Sequence, residues 1–296
     1  MIDFQPIQKE KIEEYKTYYD YTDALGCEFN FVSGYLWNEE YQLRVAVVDD
    51  TLIKAYFRDD TRVWGYCMPS GKNPRGAVEA IFEDAGERGE TAQIAYMSAS
   101  ERDRLESLFP DRFIFDVEPE NQDYIYLSQD LATLPGKKYH AKRNHISKFY
   151  RTYADDARFV TLDTDNLGDA MRVMELWCKE NNIDPAGYGE FRVFQRACEG
   201  FEELGMHGAV IYVNDLPVAM TMGSEISAKC FNVNFEKALR EYDGVYAVIN
   251  NAFAKTLTKY TYINREEDLG LEGLRKAKLS YHPAVIYSRF SAVPKP

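Results

Sequence analysis

A stretch near the C-terminus, INREEDLGLEGLRKAKLSYHPAVIYSRF, combines carboxylates, an amide and cations with two glycines between them. Its polar residues include Asn264, Glu266, Glu267, Asp268, Arg275, Lys276 and Lys278. Acyl transfer needs a base for the proton of the nucleophile and donors for the developing oxyanion, and these residue types supply both. The simpler alternative is a strand end, a glycine loop and a helix with ordinary surface charge.

A second stretch, GKKYHAKRNHISKFYR at residues 136–151, carries six Lys or Arg and no acidic residue. Helical spacing from Lys138 onward places Arg143 on an otherwise apolar and aromatic face with Tyr139, Ile146, Tyr150 and Tyr153. An unpaired buried charge is very costly, so Arg143 should point toward the interior and meet a carboxylate or an anionic ligand. The alternative is a solvated basic face.

The chain has 296 residues and a formal net charge of -13, so these basic clusters contrast with an acidic body. An acidic surface repels phosphate on average, which argues against stable binding of duplex nucleic acid. We therefore predict that the cations of residues 137–143 and 275–278 converge in space and hold a phosphate or carboxylate group.

One order of elements occurs twice along the chain. Apolar runs flank Asp49-Asp50 in the first half and Asn214-Asp215 in the second, and both dipeptides are typical of tight hairpin turns. In each half a further strand, a helix and a closing strand follow the hairpin. The repeat predicts two related α/β domains, at residues 1–126 and 127–296, that pack together without a flexible linker.

Several classes of protein and site are disfavoured. Hydrophobic residues make up 45% and charged residues 28% of the chain, as in ordinary globular proteins. The sequence has no apolar signal core and no apolar run long enough to span a bilayer, which predicts a cytoplasmic protein without a membrane span. The five cysteines form no CxxC pair, and His140 and His145 are five positions apart, so we expect no metal site.

Four segments resemble a known family: LPGKKYHAKRNHISKF, FNVNFEKA, YAVINNAFAK and NREEDLGLEGLRKAKLSYHPA. They are similar to the soluble bacterial relatives of the phosphatidylglycerol lysyltransferase C-terminal domain, which consist of two tandem GNAT-like (acyl-CoA N-acyltransferase fold) domains. The resemblance covers nearly the whole chain. It implies an α/β (α+β) fold with mixed, mostly antiparallel sheets flanked by helices, shared with the Fem-type aminoacyltransferases.

The resemblance also implies a reaction, because the membrane-bound members move an amino acid from aminoacyl-tRNA to a lipid headgroup. This chain lacks their membrane segments, which disfavours a lipid acceptor. The GNAT pattern that holds the pyrophosphate of coenzyme A would fall at residues 241–246, where Glu241 repels phosphate and Tyr246 crowds the backbone. We therefore expect transfer to an amine or hydroxyl from aminoacyl-tRNA rather than from acyl-CoA, with no certain cofactor.

In this reaction the candidate catalytic residues are Glu267 or Asp268 as the base and Tyr246 as an acid or stacking group. The candidate substrate-binding residues are Lys138, Lys142, Arg143, Asn232, Asn234, Asn250, Asn264, Arg275, Lys276, Lys278 and Tyr281. The rival hypothesis is a non-catalytic module that binds a tRNA end or a small phosphorylated metabolite with the same cations. A purely structural protein would have no deep polar cavity between its halves.

Overall fold

Two mixed β-sheets with flanking helices form this protein, in a computed structural model that describes residues 1–22, 24–153 and 155–296. The strands are β1 Gln5–Pro6, β2 Leu43–Val48, β3 Thr51–Phe57, β4 Val63–Tyr66, β5 Ser70–Gly71, β6 Ile94–Met97, β7 Phe113–Val117, β8 Asp123–Leu127, β9 Ala157–Thr161, β10 His207–Val213, β11 Leu216–Ser227, β12 Cys230–Ala238, β13 Tyr262–Asn264, β14 Val285–Tyr287 and β15 Phe290–Pro294.

The helices are α1 Ile12–Lys16, α2 Phe31–Leu36, α3 Asn38–Tyr41, α4 Pro74–Glu87, α5 Ala99–Leu108, α6 Ser128–Thr133, α7 His140–Tyr153, α8 Leu167–Glu180, α9 Gly189–Glu199, α10 Val245–Thr256 and α11 Glu272–Leu279. Throughout the described ranges, no helix combines the length and the apolar character needed to cross a bilayer.

The two predicted hairpins are confirmed. The β2–β3 turn is Asp49-Asp50 and the β10–β11 turn is Asn214-Asp215, and all four residues have positive φ angles between 46° and 62°. Asp and Asn tolerate this left-handed region better than most residues, and two positive φ angles match the twist of the flanking strands. These four residues therefore set the register of both hairpins.

The repeated order of elements is confirmed in the sheet topology. In the first sheet β2, β3 and β4 are antiparallel neighbours and β6 lies parallel to β4, after the crossover helix α4. In the second sheet β10, β11 and β12 are antiparallel neighbours and β13 lies parallel to β12, after α10. The predicted α/β class, with mixed and mostly antiparallel sheets, is therefore confirmed, while superposition of residues 43–97 on 207–264 stays a prediction.

The two sheets exchange strands. The strand β8 pairs with β13 and β14 in the second sheet, although it precedes that sheet's own hairpin in the chain. The C-terminal strand β15 returns to the first sheet and lies between β6 and β7. The predicted boundary between residues 126 and 127 falls inside β8, so each half depends on a segment from the other part of the chain.

The halves also share a hydrophobic core. One cluster joins Phe31 and Leu36 of α2 with Met174 of α8, Phe194 of α9 and Phe235 of β12. Such a core removes the apolar faces of both halves from water together. The expectation that the halves pack together is therefore confirmed.

The position of β15 between β6 and β7 leads to a prediction. Ala292 is 1% exposed among apolar residues of the first sheet, whereas Ser291 points to the other face and is partly exposed. Ala292→Asp should lower the free energy of unfolding by about 3 kcal/mol or more, because it places a charge in an apolar environment. Ser291→Asp should cost less than about 1 kcal/mol. Urea unfolding of both variants measures this difference, and equal losses would contradict the position of the strand.

Candidate active site in the cavity between the two halves

A cavity of about 1260 Å³ lies between the two halves and is lined by residues of both. The parallel strands β12 and β13 pair only where residues 230–232 face residues 262–264. Beyond this short ladder, the cavity is lined by the loop 265–267, by the start of α10 and by Val233, Asn234, Glu236 and Lys237 of β12. The structure therefore has a large cavity between its halves, with a mainly apolar wall that also carries carboxylates and cations.

The sequence-predicted site residues divide into two groups. Those that line the cavity are Lys142, Asn234, Tyr246, Glu267, Lys278 and Tyr281. Those that lie outside its lining are Lys138, Arg143, Asn232, Asn250, Asn264, Asp268, Arg275 and Lys276. Several members of the second group contact residues of the lining and hold them in position.

Glu267 is the candidate base that faces the cavity. Within the described parts of the chain, its side-chain carboxyl group has no hydrogen bond or ion pair with another residue and interacts with its own backbone N–H. Burial, and then the negative charge of Asp123, raise the pKa of Glu267 above its usual range. A carboxyl group in a cavity with a raised pKa is a stronger proton acceptor, once ionised, than an ordinary carboxylate.

Glu266 is next to it and is held by amides. Its Oε1 accepts hydrogen bonds from Nδ2 of Asn232 at 2.6 Å and of Asn234 at 3.1 Å. Its backbone N–H donates to Oδ1 of Asn264 at 2.7 Å, and its φ angle is 56°. Burial, and then the adjacent Glu267, raise the pKa of Glu266. The three predicted amides therefore position the acidic loop, in a backbone conformation that a glutamate rarely adopts.

Lys278 holds the same loop from the other side. Its ammonium group donates to the carbonyl oxygens of Arg265, Glu266 and Glu267, the second at 2.9 Å. Burial, and then the charge of Arg265, lower the pKa of Lys278. The contacts of this predicted ligand-binding lysine thus position the backbone that carries Glu267.

Asp268, the other candidate base, points into the protein. It accepts from the Tyr124 hydroxyl at 2.6 Å, from Nε and Nη2 of Arg275 at 2.7 and 3.0 Å, and from the N–H of Gly270 at 2.9 Å. These bonds, that of Arg275 foremost, lower the pKa of Asp268 to about 2. Asp268 and Arg275 therefore form an ion pair, and the hydrogen bond from Tyr124 connects this pair to β8.

The cation of the basic helix α7 that lines the cavity is Lys142 and not the expected Arg143. Arg143 Nη1 donates to the carbonyl oxygens of Leu134 and Gly136, at 2.5 and 2.7 Å, and closes the end of α6. Lys142, in the neighbouring stripe with the buried Phe149, lines the cavity instead. On the predicted inward face Tyr139 is buried and Ile146 packs against the core, whereas Arg143 binds backbone carbonyls and not a carboxylate.

The remaining predicted cations bind carboxylates of the protein. Lys138 pairs with Asp130 at 3.1 Å, and Lys276 pairs with Glu272 at 2.6 Å along α11. We predicted that the cations of residues 137–143 and 275–278 meet in space. Of these cations, Lys142 and Lys278 line the cavity.

Arg265 lines the cavity but was not predicted as a site residue, although it lies within the acidic segment of residues 264–268. Its Nη2 bonds to Oε1 of Glu236 at 2.6 Å, and Nδ2 of Asn250 bonds to the other oxygen of Glu236 at 3.1 Å. Its guanidinium group lies 4.9 Å from the ring centroid of Tyr281. The predicted residues Asn250 and Tyr281 thus contribute by surrounding an arginine.

A buried ion-pair network at the other side of the cavity was also missed. Arg289 contacts Asp123 at 2.7 Å and Glu28 at 2.5 Å, and Asn264 donates to Asp123 at 2.6 Å. These residues come from distant parts of the chain, so no local pattern could group them. The network joins β8 to the segment that enters β15.

Ligand atoms of Cys27, Asp123 and Glu267 lie within 4.8 Å of one another, close enough to share a metal ion. Two features disfavour metal binding. Burial and Asp123 raise the pKa of the Cys27 thiol, and Arg289 already pairs with Asp123 beside it. A thiol must lose its proton to bind a metal, and a nearby guanidinium repels a cation.

The start of α10 forms another edge of the cavity. Gly244 has a φ angle of 90°, and a Cβ atom there would lie 2.4 Å from the carbonyl oxygen of His145. Tyr246 is 37% exposed, and its hydroxyl accepts a hydrogen bond from Nε1 of Trp177 at 3.1 Å. The helix therefore packs closely on α7 through Gly244 and presents an aromatic side chain at the cavity.

The pKa of Asp268 leads to a prediction about acid stability. Asp268→Asn should reduce the free energy of unfolding at pH 7 by about 1 to 3 kcal/mol, because it weakens a buried charge-assisted network. The lowered pKa gives stability that is fully present above the ordinary value of 3.8 and is lost as the pH falls toward about 2. The difference between variant and wild type should therefore shrink in that range.

Urea unfolding between pH 2 and 7 measures this difference. The exposed Glu272→Gln on the adjacent helix α11 is the matched control and should show little change. A loss for Asp268→Asn that stays constant across this range would contradict the assignment.

Known proteins resemble this chain in sequence and in structure. The sequence model for the C-terminal region of phosphatidylglycerol lysyltransferase matches residues 20–293. The crystal structure of a conserved protein of unknown function from Bacteroides thetaiotaomicron is 37% identical, with a TM-score of 0.92 and 100% coverage of both chains. The structure of L-PGS from Bacillus licheniformis is 16% identical, with a TM-score of 0.68, and the match covers 99% of this chain and 93% of that chain.

A curated relative is more distant. An uncharacterized protein from Mycoplasmoides gallisepticum is 23% identical over 181 residues, which are 60% of this chain and 58% of that protein. The chain thus spans less than two thirds of that relative. The likeness to L-PGS shows a shared fold.

Proposed function

The chain belongs to the family of the phosphatidylglycerol lysyltransferase C-terminal domain, and on that basis we propose that it transfers an acyl or aminoacyl group in the cavity between its halves. The family name denotes transferases. The observation that carries the proposal for this chain is Glu267, a carboxyl group that bonds to no other residue among those described, in a cavity that raises its pKa. This is the property that a general base near neutral pH requires.

The proposed step is attack by an amine or hydroxyl on an activated acyl carbon. Glu267 takes the proton of the nucleophile as the new bond to the acyl carbon forms. Collapse of the tetrahedral intermediate then breaks the bond to the leaving oxygen, and protonated Glu267 returns the proton to that oxygen. Lys278 and Asn232 act indirectly, because they fix the loop on which Glu267 lies.

The proposed donor is an aminoacyl ester, as on aminoacyl-tRNA, rather than a coenzyme A thioester. Two features of the α10 start support this choice. Glu241 lies where a pyrophosphate-binding residue would be needed, and the bulky Tyr246 stands where a small residue would let phosphate approach the backbone. The name of the family also refers to the transfer of an amino acid.

Replacing the base separates catalysis from binding. Glu267→Gln should lower kcat/KM by about 10² to 10⁴, because an amide cannot accept the proton, while affinity for the donor stays within a few fold. The assay measures transfer to amine and hydroxyl acceptors from a panel of aminoacyl-tRNAs and acyl-CoA thioesters.

The pH profile gives an independent readout. In the wild type, activity should rise with pH as Glu267 loses its proton, with a midpoint above the ordinary value of 4.5, and Glu267→Gln should lack this rise. The control is Glu272→Gln, which removes an exposed carboxylate from α11 and should retain wild-type activity. Full activity of Glu267→Gln would contradict the proposed base. Donor binding without turnover in the wild type would instead favour the non-catalytic module.

A further inference from the structure

We infer that Lys142 and Arg265, which both contact the Tyr281 ring, form a binding site for a phosphate group of the substrate. The inference goes beyond the proposed transfer, because holding an anion does not require Glu267. It depends on the position of the two cations in the cavity wall, on the unbonded Nη1 of Arg265 and on the absence of an ion pair for Lys142 among the described residues.

Arg265 has an unused donor. Its side chain is 14% exposed and lines the cavity, and Nη2 is bound to Glu236. Its Nη1 is buried and has no hydrogen-bond partner among the residues that the structure describes. A buried donor without an acceptor is costly, since it has lost water without a replacement. An anion that enters from the cavity would supply the missing acceptor.

Lys142 has no carboxylate partner. Its Nζ lies 3.8 Å from the ring centroid of Tyr281, and the structure shows no ion pair for it over the described residues. The guanidinium group of Arg265 lies 4.9 Å from the same centroid. Each cation is attracted by the aromatic ring, but the two repel each other. Burial, and then this repulsion, lower the pKa of Lys142 to about 8.

The local charges do not balance. Glu236 is bonded to Arg265 through one oxygen and to Asn250 through the other. The other cavity lysines are differently placed. Lys237 pairs with Glu190 at 2.8 Å, and Lys54 and Lys278 bind backbone carbonyls. One positive charge at Lys142 and Arg265 is therefore left for a ligand to neutralise.

Phosphate is the ligand class that fits best. An arginine with a free nitrogen and a lysine ammonium supply donors from two directions, and phosphate has oxygens for both. A single carboxylate would offer fewer acceptors and less charge. Nucleotide phosphates and the phosphates of lipid headgroups share this chemistry, so the experiment has to distinguish them.

The test measures binding of inorganic phosphate and pyrophosphate to the intact protein by titration calorimetry at low salt. Lys142→Met and Arg265→Lys should each weaken binding by about tenfold or more, as expected for loss of a charge-assisted hydrogen bond. The matched control is Lys137→Met, which removes one charge from an exposed lysine just before α7 and outside the cavity lining. It should change affinity less than about threefold.

The outcomes separate this site from the proposed catalysis. Glu267→Gln should bind phosphate like the wild type, even if it is inactive. No saturable binding, equal weakening by Lys137→Met, or an unchanged affinity of Lys142→Met would overturn the inference. If Arg265→Lys does not fold, Lys142→Met decides alone, because Lys142 has no ion pair to lose in the described structure. Tighter binding of adenosine monophosphate than of glycerol 3-phosphate, or the reverse, would support the site and identify the source of its phosphate.

Discussion

Much of the structure depends on the buried contacts of Arg289. This residue is 1% exposed and lies between β14 and β15, where the chain leaves one sheet and enters the other. It pairs with Asp123, the first residue of β8, and with Glu28 of the first half. Loss of the guanidinium group would leave two buried carboxylates without their cation, which costs far more than an exposed pair. The network therefore fixes both exchanged strands at the edge of the cavity.

Two groups of charged side chains lie at the cavity. In one group, the carboxyl groups of Glu28, Asp123, Glu266 and Glu267 outnumber the cations Arg289, Lys278 and Lys54. In the other group, Lys142 and Arg265 outnumber Glu236. Burial, and then neighbouring like charges, raise the pKa values of Glu266 and Glu267 and lower the pKa of Lys142. The proposed base lies in the first group and the inferred anion site in the second.

The acidic loop is rigidly supported. Glu266 has a left-handed backbone conformation, and Lys278, Asn264 and the asparagines of β12 bind the loop from several directions. A strained conformation persists only when its surroundings impose it, and such sites occur often where function requires a fixed geometry. These contacts hold the loop backbone and the Glu266 side chain, whereas the Glu267 carboxyl group bonds to no other residue in the described part of the chain and remains available to a ligand.

Local chemistry in the sequence determined the elements and part of the site. The repeated topology could be predicted from Asp and Asn at the hairpin turns and from the periodicity of the helices, because both depend on neighbouring residues. The acidic motif at residues 264–268 indicated Glu267 as a candidate base. The tertiary structure alone decided the exchange of β8 and β15, and it decided that Asp268 binds Arg275 while Glu267 faces the cavity. It also placed Lys142 at the cavity and Arg143 on backbone carbonyls at the end of α6. Arg289 and Asp123 are 166 positions apart, so only the folded chain brings such partners together and sets which charges remain unpaired.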